Sequence, residues 1–236
     1  MKVPIRTEPA RLEAFSDAMI AFAATLLVVS LEVPRTYDQL IGNLGGFIPF
    51  ALSFAALTLI WAAHRSLFRR YPLDDNFTVV VNAVLMFTVL FYVYPLKFLS
   101  SAFVSTFTGQ SAVVIQNTQQ LASLFAIYAV GWMLVFSCIA LLYRHAYSRR
   151  VELGLDTVEA YDAISHCRHY VVFVIVGALS LLLAIVGVKV KWGGPGLAFV
   201  MIAPLAWANG HFRERKRPVL EPAPEIIPSH SRGLKR

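Results

Sequence analysis

Residues 14–33 read AFSDAMIAFAATLLVVSLEV. At a rise of about 1.5 Å per residue, roughly 20 apolar residues cross the hydrocarbon core of a bilayer. This stretch meets that requirement, yet Ser16 and Asp17 stand near its start and Arg11 just upstream. A carboxylate at the centre of a membrane helix costs roughly 3 kcal/mol on insertion scales unless it is partnered, so Asp17 marks a functional or structural site.

Working outward, further apolar runs recur along the 236 residues, of which 57% are hydrophobic and only 15% charged. That balance excludes an ordinary soluble domain and predicts an all-α, polytopic membrane protein. Six spans are expected, at about 14–33, 47–68, 77–99, 121–144, 168–188 and 195–209. The sixth is short and holds Pro204, which neighbouring helices can accommodate inside a membrane. The first run lacks a small-residue cleavage site and is too long for a signal core, so it reads as a retained helix.

The net charge of +7 raises the question of nucleic acid, but its distribution answers for topology. With six spans, one side carries Lys2, Arg6, Arg11, Arg65, Arg69, Arg70, Arg144, Arg149, Arg150, Arg168 and the seven Lys/Arg after Asn209. The other side carries Arg35, Lys97, Lys189 and Lys191, a split of seventeen to four. This asymmetry predicts cytoplasmic termini in a plasma membrane and no nucleic-acid partner, with the lipid bilayer as the surroundings.

Three segments result: a cytoplasmic N-terminus over 1–10, a six-span body over 11–212, and a basic, Pro-rich, disordered cytoplasmic tail over 213–236. Pro34 ends the first span, and Gly42, Gly45 and Gly46 turn the chain into the second. Residues 71–75 (YPLDD) form an inner turn, and residues 100–120 a polar outer loop. Glu152, Asp156, Glu159 and Asp162 suggest a surface linker, and residues 191–195 (KWGGP) turn the fifth span into the sixth. Cys138 and Cys167 form neither a disulfide framework nor a zinc spacing and read as packing residues.

Topology also gives depth. Ser16 and Asp17 lie a few residues inside the first span, His64 and Trp61 near the inner end of the second, and Asn82 a few residues into the third. These groups, with Arg11 at the rim, share one layer near the inner leaflet and should satisfy one another across helices. Each alone has a plainer reading, since helix-end side chains snorkel to the interface. Together they point to a clasp holding the first span, with a proton path through Asp17 and His64 as the competing role. Beyond the clasp the first span has a bulky stripe, Phe22, Leu26, Val29 and Val33, beside a smaller one, Ala18, Ala21, Thr25 and Val28.

The string from Arg11 through Phe15-Ser16-Asp17, with Thr25 beyond it and Glu32-Val33-Pro34 closing the helix, resembles the transmembrane protein 175 family, potassium channels marked by R-x-x-x-F-S-D. Trp61, His64 and Phe68 in the second span, and Asn82 and Leu85 in the third, extend the resemblance to about Pro95. It implies a homotetramer of six-span subunits whose first helices line a central pore. It further implies that Arg11, Phe15, Ser16 and Asp17 form the motif, with Trp61, His64 and Asn82 as its structural network. The pore constriction carries over to Phe22, with Leu26 and Val29 outward of it and Thr25 as the hydroxyl layer that selects the ion. The family's constriction is usually isoleucine or leucine, so Phe22 is a larger and stiffer departure.

No Thr-Val-Gly-Tyr-Gly loop is present, so carbonyls do not replace the hydration shell, and an apolar ring would gate by size and dewetting. Glu32, near the outer end of the first span, is either an exposed helix-end carboxylate, the commoner fate, or a group that gathers cations at the outer mouth. The expected function is a passive, leak-type potassium channel that is not an enzyme, takes no cofactor and holds no metal beyond transient potassium. The alternative is a proton-coupled transporter using Asp17 and His64. The chain lacks H-E-x-x-H, G-x-S-x-G and a second intramembrane Asp to pair with Asp17, which excludes the common intramembrane hydrolases.

Overall fold

Long apolar runs broken by short polar turns leave the backbone one solution in lipid, helices that satisfy their own hydrogen bonds. The computed structural model describes residues 11–31, 33–108, 115–188, 190, 193–202, 204 and 205. Helix α1 spans Arg11–Val29, and a short α2, Tyr37–Asn43, leads through a 3-10 turn, Leu44–Gly46, into α3, Phe47–Arg70. Then follow α4, Asn76–Thr108, α5, Thr118–Ser148, and α6, Thr157–Val186. A short α7, Gly194–Leu197, and a 3-10 turn, Ala198–Met201, complete the described elements.

Five of these helices, α1, α3, α4, α5 and α6, are long and apolar enough to cross a membrane. The chain is a multi-pass membrane protein. Its outer surface agrees, because Phe87, Phe91 and Tyr94 on α4 and Ile175, Leu182 and Ile185 on α6 are exposed. So large an apolar surface belongs against lipid.

Segment 195–209, expected as a sixth span, begins with α7 and its 3-10 continuation, where Phe199 packs edge-on against Trp132 of α5, ring centres 5.0 Å apart. Residues 206–209 lie outside the described residues, as do segment 1–10, Glu32, Lys191, Trp192 and the tail 213–236.

Two helices run farther than the apolar runs suggested. The stretch 100–108 continues α4, because Ser101 and Ser105 turn their hydroxyls back onto the Lys97 and Ser101 carbonyls, at 2.9 and 2.8 Å. Helix back-bonding of this kind makes a polar stretch compatible with a helix end. The acidic segment expected as a surface linker is only in part a link: Glu152 stands in an exposed turn, whereas from Thr157 onward the segment is already α6. Asp156 caps it, accepting from the Val158 and Glu159 amides at 2.8 Å each, while Glu159 reaches back to the Asp156 amide at 3.0 Å. That reciprocal pair is a capping box.

In the core, α1 lies on α3 and α4, and α5 lies between α4 and α6. Gly131 lets α5 approach α4, because a Cβ there would run into the Tyr92 ring. Tyr92 Oη donates to the Tyr128 carbonyl at 3.1 Å, and the Leu99 amide donates to Tyr128 Oη at 3.2 Å.

The helix ends that meet at residues 70–75 and 145–162 are tied by polar contacts. Buried Asp162 of α6 pairs with Arg70 at 3.2 Å, and Tyr71 Oη donates to the Glu159 carbonyl at 3.1 Å. Burial pushes the Tyr71 phenol up. Asp75 accepts from His145 Nε2 at 2.6 Å and pairs with Arg149 at 3.0 Å, both at the end of α5. Partial burial works against the Asp75 charge, but the Thr78 hydroxyl and amide and His145 outweigh it and hold the carboxyl down at about 2.

Two outcomes are expected. Gly131→Val should lower stability by about 1–3 kcal/mol through overpacking against Tyr92, read as an earlier thermal unfolding transition in detergent. The stability from Asp75, whose folded carboxyl lies below its ordinary 3.8, should be complete above about pH 4 and fade as pH falls toward 2. Thermal scans of Asp75→Asn should lack that acid-limb slope, and an unchanged slope would discount the contact.

Candidate functional site

Helix α1 turns one face to the rest of the chain. Ser16, Ile20, Ala23 and Leu27 are buried on it, at steps of four, three and four residues. This is neither of the stripes singled out from the sequence. On the opposite side Phe15, Phe22, Thr25 and Val29 are exposed, with Phe22 55% and Val29 73% accessible. Leu26 is half-buried at the flank, against the core.

The buried face is fastened near the N-terminal end of α1. Asp17 lies six residues from the start of α1, His64 six from the end of α3, and Asn82 six from the start of α4, roughly 9 Å inward in each helix. The matched depth brings them together. Ser16 Oγ donates to the Leu12 carbonyl at 2.8 Å, so it must accept from elsewhere, and Asn82 Nδ2 donates to it at 2.8 Å. That fixes the Asn82 amide with Oδ1 toward His64, at 2.9 Å from Nε2. Asn82 Oδ1 can only accept, so His64 carries its proton on Nε2. One directed chain results, from His64 to Asn82 to Ser16 to Leu12, with Ser16, His64 and Asn82 all buried.

Asp17 takes a separate path. Successive helix residues point about 100° apart, so Ser16 faces α4 while Asp17 faces α3, where Trp61 Nε1 donates to Asp17 Oδ1 at 2.7 Å. The Arg65 guanidinium stands 5.2 Å from the centre of the Trp61 ring, a cation–π distance. The His64 ring packs on Phe68, centres 4.5 Å apart. Its Nδ1 is buried and meets no hydrogen-bond partner among the described residues.

The structure thus unites Ser16, Asn82 and His64 in one chain and Asp17 with Trp61 in another. Asp17 and His64 each bond elsewhere. Arg11 and Phe15 are exposed on α1, apart from the bonded groups. Thr25 Oγ1 donates to the Ala21 carbonyl at 3.0 Å on the exposed side, leaving its lone pairs outward.

Sequence reasoning missed the fastening at the C-terminal end of α1. Buried Ser53 Oγ of α3 shares a hydrogen bond with Ser100 Oγ of α4 at 3.0 Å, and Lys97 Nζ of α4 donates to the Ser30 carbonyl just past α1. A lysine inside an otherwise uncharged apolar helix was the available signal.

Asn82→Leu strips both ends of the buried chain of their partner. It should cost about 1–3 kcal/mol for each polar group left unsatisfied, seen as a lowered melting temperature and a smaller assembled fraction on size exclusion. Wild-type stability in this variant would mean that the chain contributes nothing.

Comparison with known proteins gives a consistent set of relatives. The family described as "Endosomal/lysosomal potassium channel TMEM175" matches residues 11–92, from the start of α1 through half of α4. A protein of Marivirga tractuosa named "Potassium channel" is 32% identical over 221 residues, covering 87% of this chain and 88% of that one. Among solved structures, a variant of the potassium channel MtTMEM175, in complex with a nanobody–MBP fusion protein, superposes with a TM-score of 0.79 at 30% identity. That match covers 91% of this chain and 97% of the other. A TMEM175 homologue from Chamaesiphon minutus shares the fold, with a TM-score of 0.59 at 24% identity over 86% of this chain and 99% of that chain.

Proposed function

The chain belongs to the TMEM175 family, and on that footing we propose that it is a potassium-selective, leak-type channel whose pore is lined by α1. In this reading four copies assemble around one axis in a plasma membrane, with both termini cytoplasmic. The relatives named as potassium channels support the permeant ion. The crowding of arginines at the inner ends of α3 and α5 supports the orientation.

One observation carries the pore assignment: α1 is fastened to its own subunit along a single face and uncovered along the opposite one. A helix buried on one side and presented on the other can line a shared axis without giving up its own subunit's packing. Phe22 then forms the constriction, Val29 continues it outward, Leu26 flanks it, and Thr25 supplies a ring of hydroxyl oxygens. Potassium sheds its water at lower cost than sodium, so a narrow, weakly polar ring favours it.

The transporter reading is less well supported. It requires Asp17 and His64 to exchange protons, whereas Asp17 bonds an indole N–H and His64 bonds an amide oxygen. An indole donates and does not accept a proton.

Purified protein in planar bilayers should carry a current that reverses near the potassium equilibrium potential with no pH gradient. Phe22→Ala should widen the ring, raising single-channel conductance and moving the reversal potential toward that of sodium by tens of millivolts under opposed potassium and sodium gradients. Unaltered conductance and selectivity would remove Phe22 from the permeation path.

A further inference from the structure

Helix α1 ends at the outer side with its last carbonyls pointing along its axis, and no basic residue stands in its own last turn. The Leu26 carbonyl accepts from the Ser30 amide at 3.1 Å, Leu27 from Ser30 Oγ at 2.6 Å, and Val28 from the Leu31 amide at 2.9 Å. The Ser30 carbonyl accepts from the ammonium of Lys97 on α4. Lys97 is the one charged residue among the 33 of α4 and follows Pro95 by two positions. Its stem is half-buried.

We propose that Lys97 is a positioning residue for conduction, capping the outer end of α1 from a neighbouring helix and setting, through its charge, how readily cations enter from outside. This rests on the reading that α1 lines the pore.

A helix C-terminus behaves as about half a negative charge. Four such ends around an outer mouth would draw in cations. An ammonium beside each end opposes that attraction, so the mouth of the wild-type protein gathers fewer cations than it would without the Lys97 charge. The consequence is directional. Cations arriving from outside meet the ammonium groups before the constriction, whereas cations arriving from inside meet the constriction first. The effect must also be screened, since the Debye length falls from about 30 Å at 0.01 M salt to about 3 Å at 1 M.

The test compares wild type, Lys97→Arg, Lys97→Gln and Lys97→Met in symmetric KCl, from about 0.02 M to 1 M, recording inward and outward single-channel currents. Gln retains a donor toward the Ser30 carbonyl without the charge, so it keeps the proposal testable if Met impairs assembly. Both neutral variants should raise the inward-to-outward current ratio at least twofold at low salt, with the gain vanishing at high salt, and Arg should match wild type. A ratio unchanged by either neutral variant at every salt would overturn the proposal, as would a change of equal size at low and high salt. Phe22→Ala, recorded alongside, separates the two readings: if it too leaves conductance unaltered, the pore assignment to α1 is what has failed.

Discussion

Three polar side chains on three helices hold the structure in register. His64, Asn82 and Ser16 pass one directed set of hydrogen bonds from α3 through α4 to α1. In hydrocarbon an unpaired amide or imidazole cannot turn to water, so the chain is satisfied when the three helices meet at one depth and rotation. Apolar packing between membrane helices has no such demand, because lipid tails are as apolar as Leu27 or Leu85. The polar chain therefore fixes which face of α1 is spent on its own subunit, and by exclusion which face remains.

That division of α1 links fold to conduction. The inner end is held by Ser16 and Asp17, the middle by Ile20, Ala23 and Leu27, and the outer end by the contact from Lys97. A helix held at both ends and along one face keeps Phe22 and Thr25 at fixed positions, which the proposed constriction needs if it is to discriminate between ions of slightly different size. The rest of the subunit serves as the frame. Helix α5 braces α4 through Tyr92 and Tyr128, and α6 braces α5 through an aromatic stack in which Trp132 and Phe173 lie parallel, 5.9 Å apart.

Five of the six expected spans and the polar layer shared by α1, α3 and α4 were legible because both are one-dimensional signals, apolar length and distance from a helix end. Rotation about the helix axis is not. The expectation grouped Asp17 with His64 because they share a depth, whereas adjacent residues on α1 point to different neighbours, sending Asp17 to Trp61 and Ser16 to Asn82. For the same reason the buried stripe through Ile20, Ala23 and Leu27 was not distinguished from the two beside it: all three are apolar, and only packing decides among them. The pairing of Asp75 with His145 and Arg149 was invisible for another reason. Acids and bases crowd together at residues 69–75 and 144–156, so composition there cannot say which acid meets which base. The start of α6 was legible in principle, since Asp156 followed three residues later by Glu159 is a helix-start signal.

In the proposed channel the face of α1 opposite Ser16, Ala23 and Leu27 borders a water-filled pore. Because Cys138 and Cys167 are buried, single cysteines introduced at Ala18, Phe22, Thr25, Val29, Ala23 and Leu27 can be probed against a low background with a thiol-reactive silver ion during bilayer recording. The account predicts rapid, irreversible block for the first four positions and none for Ala23→Cys or Leu27→Cys. Block at Ala23 or Leu27 with none at Phe22 and Thr25 would contradict it.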